Sequence, residues 1–235
     1  MRARTLDRIE MGRQVYENTG SCLEDEFIGH IDQTKYNEMA YKLLNPDKIK
    51  SIQETTDNDA KFAKLLQIKE EAQNYFQDSS VWKERNNYIN YKEAMRLVEA
   101  CQIGDPEKPS RQFSRSLYDY IKNRFEDKYT LKFFTATGGS HLDIRHGVDC
   151  FFKLYQADDA GKLKELAAAS IDLTMRANKM ETRANVLFNI SSEDRDKYDK
   201  SPANNNFDQQ FFDQQITNFG EQVIQALIDN YQTRK

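Results

Sequence analysis

Apolar residues recur at helical spacing through the first hundred positions. Phe62, Leu65, Leu66, Ala72 and Phe76 trace one i, i+3, i+4 stripe, with Lys69 and Gln73 interleaved, and Ala94, Leu97, Val98 and Cys101 trace a second. Such spacing predicts amphipathic helices. Asn45-Pro46-Asp47 reads as a break with capping potential, and Gly104-Asp105-Pro106 with Pro109 is the strongest punctuation in the chain. We place a boundary there, between a helical region 1–104 and a second region 105–235. Residues 110–126 keep a helical stripe in Phe113, Leu117, Tyr120 or Ile121, and Phe125. Residues 129–137 are then aromatic and Thr-rich, which predicts a strand. After a loop at 138–147 come a strand at 148–155, a short third strand at 171–174, a loop or short helix at 175–183 and a fourth strand at 185–190. Phe212, Ile216, Phe219, Val223, Leu227 and Tyr231 continue as one stripe, predicting a long C-terminal helix. The second region thus reads helix, three strands, linker, strand, helix, and the whole as a mixed α+β or α/β protein.

Composition narrows the function classes. The 235 residues are 38% hydrophobic and 31% charged, and no run approaches the 18 or more apolar residues of a membrane-spanning helix, so no membrane partner is expected. Cys22, Cys101 and Cys150 are odd in number and far apart, without C-x-x-C spacing. Neither a disulfide framework nor a zinc cluster is suggested, and a reducing cytoplasm is the expected compartment. The net charge of −4 gives no global attraction to nucleic acid.

The candidate chemistry lies between positions 137 and 179. Side chains alternate across a strand, so Asp149 shares a face with Phe151 and Lys153, opposite Val148, Cys150, Phe152 and Leu154, which read as the core side. Asp172 likewise shares a face with Thr174. Two carboxylates on neighbouring apolar strands need a counter-charge. A divalent cation satisfies both, since Mg²⁺ is commonly held by one or two carboxylates, with water and phosphate completing its shell.

An acid at the start of one strand and a second acid on the next, framed by helices in this order, resembles the PD-(D/E)xK, or restriction-endonuclease-like, nuclease superfamily. The resemblance covers residues 110 to the C-terminus. It implies an αβββαβ core, Mg²⁺ or Mn²⁺ as cofactor, Asp149 and Asp172 as metal ligands and catalytic acids, and a further acid from the first helix, for which Asp119 and Glu126 are the candidates. Val148 stands where the motif has Pro, and Thr174 where it has Lys. Viral cap-snatching endonucleases, a branch of the same fold, are similar in having acid-x-Thr and a Lys further along, which implies Lys179 as the catalytic lysine. Lys153, on the face of Asp149, is the alternative. The same branch implies a His ligand, and His141 is the nearest analogue.

Substrate would reach such acids through local positive charge. Residues 108–146 hold eight Lys or Arg against four Asp or Glu, within a chain that is acidic overall. Arg111, Arg115, Lys122, Arg145 and Arg176 are the expected contacts to a DNA or RNA backbone. The expectation is a metal-dependent nuclease. Its alternative is a catalytically degenerate nuclease fold that binds nucleic acid or protein, favoured by the missing motif Lys. The helical region is the expected surface for a homodimer or another protein partner.

Overall fold

The computed structural model describes residues 21–77, 84, 87–174, 181–191, 193–198 and 205–234, with the side chains of residues 21–23 excepted. In chain order the elements are α1 (Ser21–Phe27), α2 (Gln33–Leu44), α3 (Pro46–Gln53), α4 (Asn58–Tyr75), α5 (Tyr91–Ala100), α6 (Gln112–Lys122), β1 (Tyr129–Thr135), α7 (His141–His146), β2 (Cys150–Ala157), β3 (Leu163–Thr174), β4 (Val186–Asn189), a 3₁₀ turn (Arg195–Tyr198) and α8 (Gln209–Gln232). The protein is mixed α/β, with a helical N-terminal part, a four-stranded mixed sheet and a long C-terminal helix.

Local chemistry sets many of the helix starts. Asp32 caps α2 by accepting from Lys35 N, Asp57 caps α4, Asn90 caps α5 and Asp208 caps α8. Each side chain satisfies a backbone N–H that has no partner within its helix. Pro46 opens α3 at a position where its missing N–H costs nothing.

The sheet runs β1-β2-β3-β4, antiparallel between β1 and β2 and between β2 and β3, parallel between β3 and β4. Both of its faces are covered. Cys150, Phe152, Leu154, Ala169, Ile171 and Phe188 pack with Phe113, Leu117 and Ile121 of α6 and with the α8 stripe. Phe212, Ile216, Phe219, Val223 and Leu227 are all buried there, each contributing about 1.5–3 kcal/mol of transfer free energy. Gly220 sits mid-helix at a propensity cost of about 1 kcal/mol, and a β-carbon there would collide with the Tyr120 ring. Its absence lets α6 and α8 close on each other.

The opposite face is also apolar. Phe134, Phe151, Leu142 and Val148 join Tyr36, Ala40, Ile68, Ala94, Leu97 and Val98 in a second core, so the sheet is sandwiched between two helical layers. The sequence reading of one core side and one Asp149 side is corrected accordingly. Phe151, on the face of Asp149, is fully buried, and Val148 packs with the N-terminal helices rather than with Cys150 and Phe152.

Three further differences have physical causes. On α4 the inward residues are Ile68 and Ala72, while Phe62 is 63% and Leu66 53% exposed. The predicted stripe is real, but only its C-terminal half meets the core. The third strand begins at Leu163 rather than 171, because residues 163–170, rich in Ala, Leu, Lys and Glu, are drawn into pairing with β2 past a bulge at Leu154/Tyr155. Six residues of the predicted loop form α7, begun by the Ser140 cap and ended by Gly147 in the left-handed conformation that glycine adopts freely.

The outer side of β1 is not open. Phe133 N–H donates to Pro106 O at 2.8 Å and Thr135 N–H to Gln102 Oε1 at 3.0 Å. The segment between α5 and α6 therefore occupies the place of a neighbouring strand, which removes a template for edge-to-edge pairing.

Candidate functional site

The start of β2 and the end of β3 bring the two predicted acids together. Cys150 pairs with Ile171, and one further step of that antiparallel register sets Asp149 opposite Asp172. Asp149 is held by its backbone, N–H to Ile171 O at 2.9 Å and O from Ala136 N at 2.7 Å. Its Oδ2 accepts from Leu173 N at 2.6 Å, so the side chain reaches across to β3. Both carboxylates are buried. Asp172 Oδ2 accepts from Thr182 Oγ1 at 2.8 Å, and Asn185 zips the same return segment to Ser170 through three bonds of 2.9–3.0 Å.

Burial is the largest influence on Asp149 and pushes its pKa well above the usual carboxylate range. Glu24, Asp143 and Asp172 push it the same way, with the Leu173 N–H opposing. Burial, Asp149, Glu24 and Asp172 likewise raise the neighbouring Cys150 thiol. Three acids from other parts of the fold thus act on Asp149: Glu24 from α1, Asp143 from α7 and Asp172 on β3. Glu24 was not singled out by sequence reasoning. The signal for Asp143 was its place between the two strand acids and a Ser cap; Glu24 lies 125 positions before Asp149 and carries no local mark. Asp119 and Glu126, the expected helix acids, are exposed.

The other predicted residues divide. Lys153 is buried on the face of Asp149 but four residues further along, where its amine meets Glu99 Oε1 at 2.5 Å and Glu165 Oε2 at 2.7 Å. Arg234 completes that network on Glu165 at 2.9 Å. His141 is fully buried with both ring nitrogens engaged, Nδ1 by Tyr36 Oη at 3.0 Å and Nε2 by Asn87 O at 2.9 Å. Lys179 and Arg176 lie outside the described residues.

Of the basic residues, Arg111, Arg115 and Lys122 fall on one side of α6 by their spacing of four and seven. Arg111 approaches Asp25 at 3.4 Å, Arg115 donates to Pro109 O at 2.9 Å and Lys122 to Tyr129 O at 2.6 Å. Arg145 belongs to α7 on the other side of the sheet and donates to Glu84 O at 2.9 Å.

Among the described residues, no group of three or more His, Cys, Asp or Glu stands at metal-holding distance. Asp149 and Asp172, set opposite each other by the β2–β3 register, offer carboxylate oxygens, the donor type that a hard cation prefers. Comparison with models of protein families, with curated proteins and with solved structures finds no match in any of the three.

Proposed function

We propose that the chain is a metal-dependent nuclease of restriction-endonuclease-like fold, hydrolysing phosphodiester bonds in DNA or RNA. The observation that carries this reading is the pair of buried carboxylates, Asp149 and Asp172, set opposite each other where β2 begins and β3 ends. The order α6, β1, α7, β2, β3, return segment, β4 follows the αβββαβ succession that the resemblance implies in its strands, with the short α7 inserted between β1 and β2 and no helix at residues 181–185 of the return.

Asp149 and Asp172 would hold Mg²⁺ or Mn²⁺. Such an ion supplies charge stabilisation at the scissile phosphate and a more acidic bound water. The chain's own contribution is positional. The Leu173 N–H fixes one oxygen of Asp149, Thr182 fixes one oxygen of Asp172, and the two apolar layers keep the carboxylates desolvated, which strengthens their attraction for a cation. Lys179 is the proposed lysine beside the phosphate. Lys153 is committed to Glu99 and Glu165, and His141 to Tyr36 and Asn87.

The test is cleavage of single- and double-stranded DNA and RNA with Mg²⁺ or Mn²⁺, comparing wild type with Asp149→Ala and Asp172→Ala. Metal-dependent cleavage that both substitutions abolish supports the reading, and cleavage that survives them removes the site. A second reading, a catalytically degenerate fold that binds nucleic acid or protein, is favoured by the buried Thr174 at the motif's Lys position. Nucleic-acid binding without cleavage under any metal would select it.

A further inference from the structure

Arg111, Arg124, Arg195 and Arg234 each pair with a carboxylate. Arg145 of α7 and Arg183 of the return segment meet none among the described residues. A guanidinium carries five N–H donors. Arg145 uses one, from Nη2 to Glu84 O at 2.9 Å, and Arg183 uses one, from Nη1 to Arg145 O at 3.2 Å. Two positive charges therefore stand on adjoining segments with most of their donors uncommitted.

The segment before α5 turns two aromatic rings to solvent beside them. Asn87 and Ile89 are buried, whereas Tyr88 is 56% and Tyr91 39% exposed. The inward residues fasten the segment to α7, Asn87 O to His141 Nε2 at 2.9 Å and Ile89 O to His146 Nε2 at 3.0 Å. Tyr88 and Tyr91 both rest on the buried His146 ring, at 5.7 and 5.5 Å between centroids. The imidazole props the tyrosines from within and leaves much of each ring to water. Glu84 O, which receives Arg145, also accepts from Asn87 N at 3.3 Å, so the Arg145 guanidinium sits at the turn that leads into Tyr88. A lone exposed tyrosine would mean little. Propped aromatic rings beside unpaired guanidinium groups are the combination that holds a nucleic-acid strand, through its bases and its phosphates.

This patch adjoins the acid pair. Arg183 follows Thr182, whose hydroxyl donates to Asp172 Oδ2, and Arg145 precedes Asp149 by four residues, no more than about 14 Å of chain. We propose that Tyr88, Tyr91, Arg145 and Arg183 form a binding surface for single-stranded nucleic acid, the tyrosine rings taking unpaired bases and the guanidinium groups taking phosphates. The bases of a duplex stack on one another and offer only their edges, so they leave the rings without a partner. The surface rests on the nuclease reading for what it delivers the strand to, Asp149 and Asp172, and on its own residues for the binding.

The test is fluorescence anisotropy of the full chain in EDTA, with short labelled single strands of DNA and of RNA and a duplex of the same length. Wild type is expected to bind a single strand more tightly than the duplex. Tyr88→Leu and Tyr91→Leu should each weaken single-strand binding at least about fivefold, the lower end of what one base–aromatic stack contributes, while Tyr88→Phe, which keeps the ring, should bind like wild type. Arg145→Gln and Arg183→Gln should each lower the slope of log affinity against log salt by about 0.7. Arg124→Gln, on the other side of the sheet, should change neither. Absence of single-strand binding, equal or tighter binding of the duplex, or affinity that both Leu variants leave intact overturns the surface, as does a Tyr88→Phe variant as weak as Tyr88→Leu. Cleavage assays on the same variants separate the two readings. Cleavage that requires Asp149 but proceeds equally in Tyr88→Leu and Arg145→Gln removes the surface and keeps the nuclease, whereas the expected binding pattern without cleavage under any metal keeps the surface and removes the nuclease.

Discussion

Asp149 and Lys153 stand on one face of one extended segment, four residues and roughly 13 Å apart, and the protein treats these two buried charges in opposite ways. Lys153 is met by Glu99 and Glu165, and Glu165 in turn by Arg234, so α5, β2, β3 and the end of α8 are joined by alternating charge. Asp149 is met by Glu24, Asp143 and Asp172, all of its own sign. The first arrangement is complete within the protein and holds layers together. The second, together with burial, holds the Asp149 carboxyl toward its neutral form. Burial alone therefore does not mark a functional charge. The two sites differ in the sign of what surrounds them.

The largest expected effect is at the compensated end. Lys153→Met leaves two carboxylates facing each other in a mostly buried place and should cost about 3–5 kcal/mol of stability, measured by urea unfolding. Mn²⁺ affinity should not change, and a parallel loss of affinity would mean that the two ends are one system.

At the other end, Asp149→Asn should lower metal-dependent cleavage by more than the ~10–100-fold that an outer partner costs. Wild type should gain about 2.7 kcal/mol at a metal concentration a hundred times the dissociation constant, and the variant should gain none. Without metal the variant should unfold no earlier than wild type, because a neutral amide relieves the repulsion. Destabilisation on the scale of Lys153→Met would break the comparison.

pH separates the two ends differently. His141 titrates near 6.5 when unfolded and is held down to about 4 when folded. The unfolded chain binds the extra proton in that interval, so native stability falls as pH drops from 6.5 to 4, by up to roughly 3 kcal/mol. Asp149, with its folded pKa raised, gains stability over falling pH and opposes this slope. Urea midpoints of wild type and His141→Gln across the interval isolate the histidine contribution, and parallel curves would refute it. The smallest effect is expected for Arg234→Ala, which removes only a half-exposed outer link and should cost about 0–1 kcal/mol. A larger loss on urea unfolding would show that the Lys153 network depends on its rim.

The elements with sustained periodicity were legible from residue order. The stripe of α8, the Ala94 to Cys101 stripe of α5 and the aromatic strands β1 and β2 each bury what their pattern marks. Elements decided by partners were not. Residues 163–170 carry helix-forming Ala, Leu, Lys and Glu and become strand because β2 offers a pairing edge. Phe62 and Leu66 look like core and lie outside it, since α4 turns Ile68 and Ala72 inward. At the candidate site, Asp149 and Asp172 were visible because strand alternation makes a buried acid conspicuous. Glu24 was invisible, since only folding brings α1 near β2, and the commitments of His141 to Tyr36 and Asn87 and of Lys153 to Glu99 depend on residues more than 50 positions away.

The segment from Gln102 to Pro106, whose oxygens accept from the N–H groups of β1, bears on how the molecule can be cut. A chain begun at residue 105 would lose Gln102 from the Thr135 N–H and strip the helices from Phe134 and Phe151, leaving a bare strand edge beside an unroofed aromatic surface. Such a fragment would be a template for stacking with its own copies. The punctuation that looks like a hinge in the residue order is a seal in three dimensions, and dissection of the protein for expression should keep the two sides of it together.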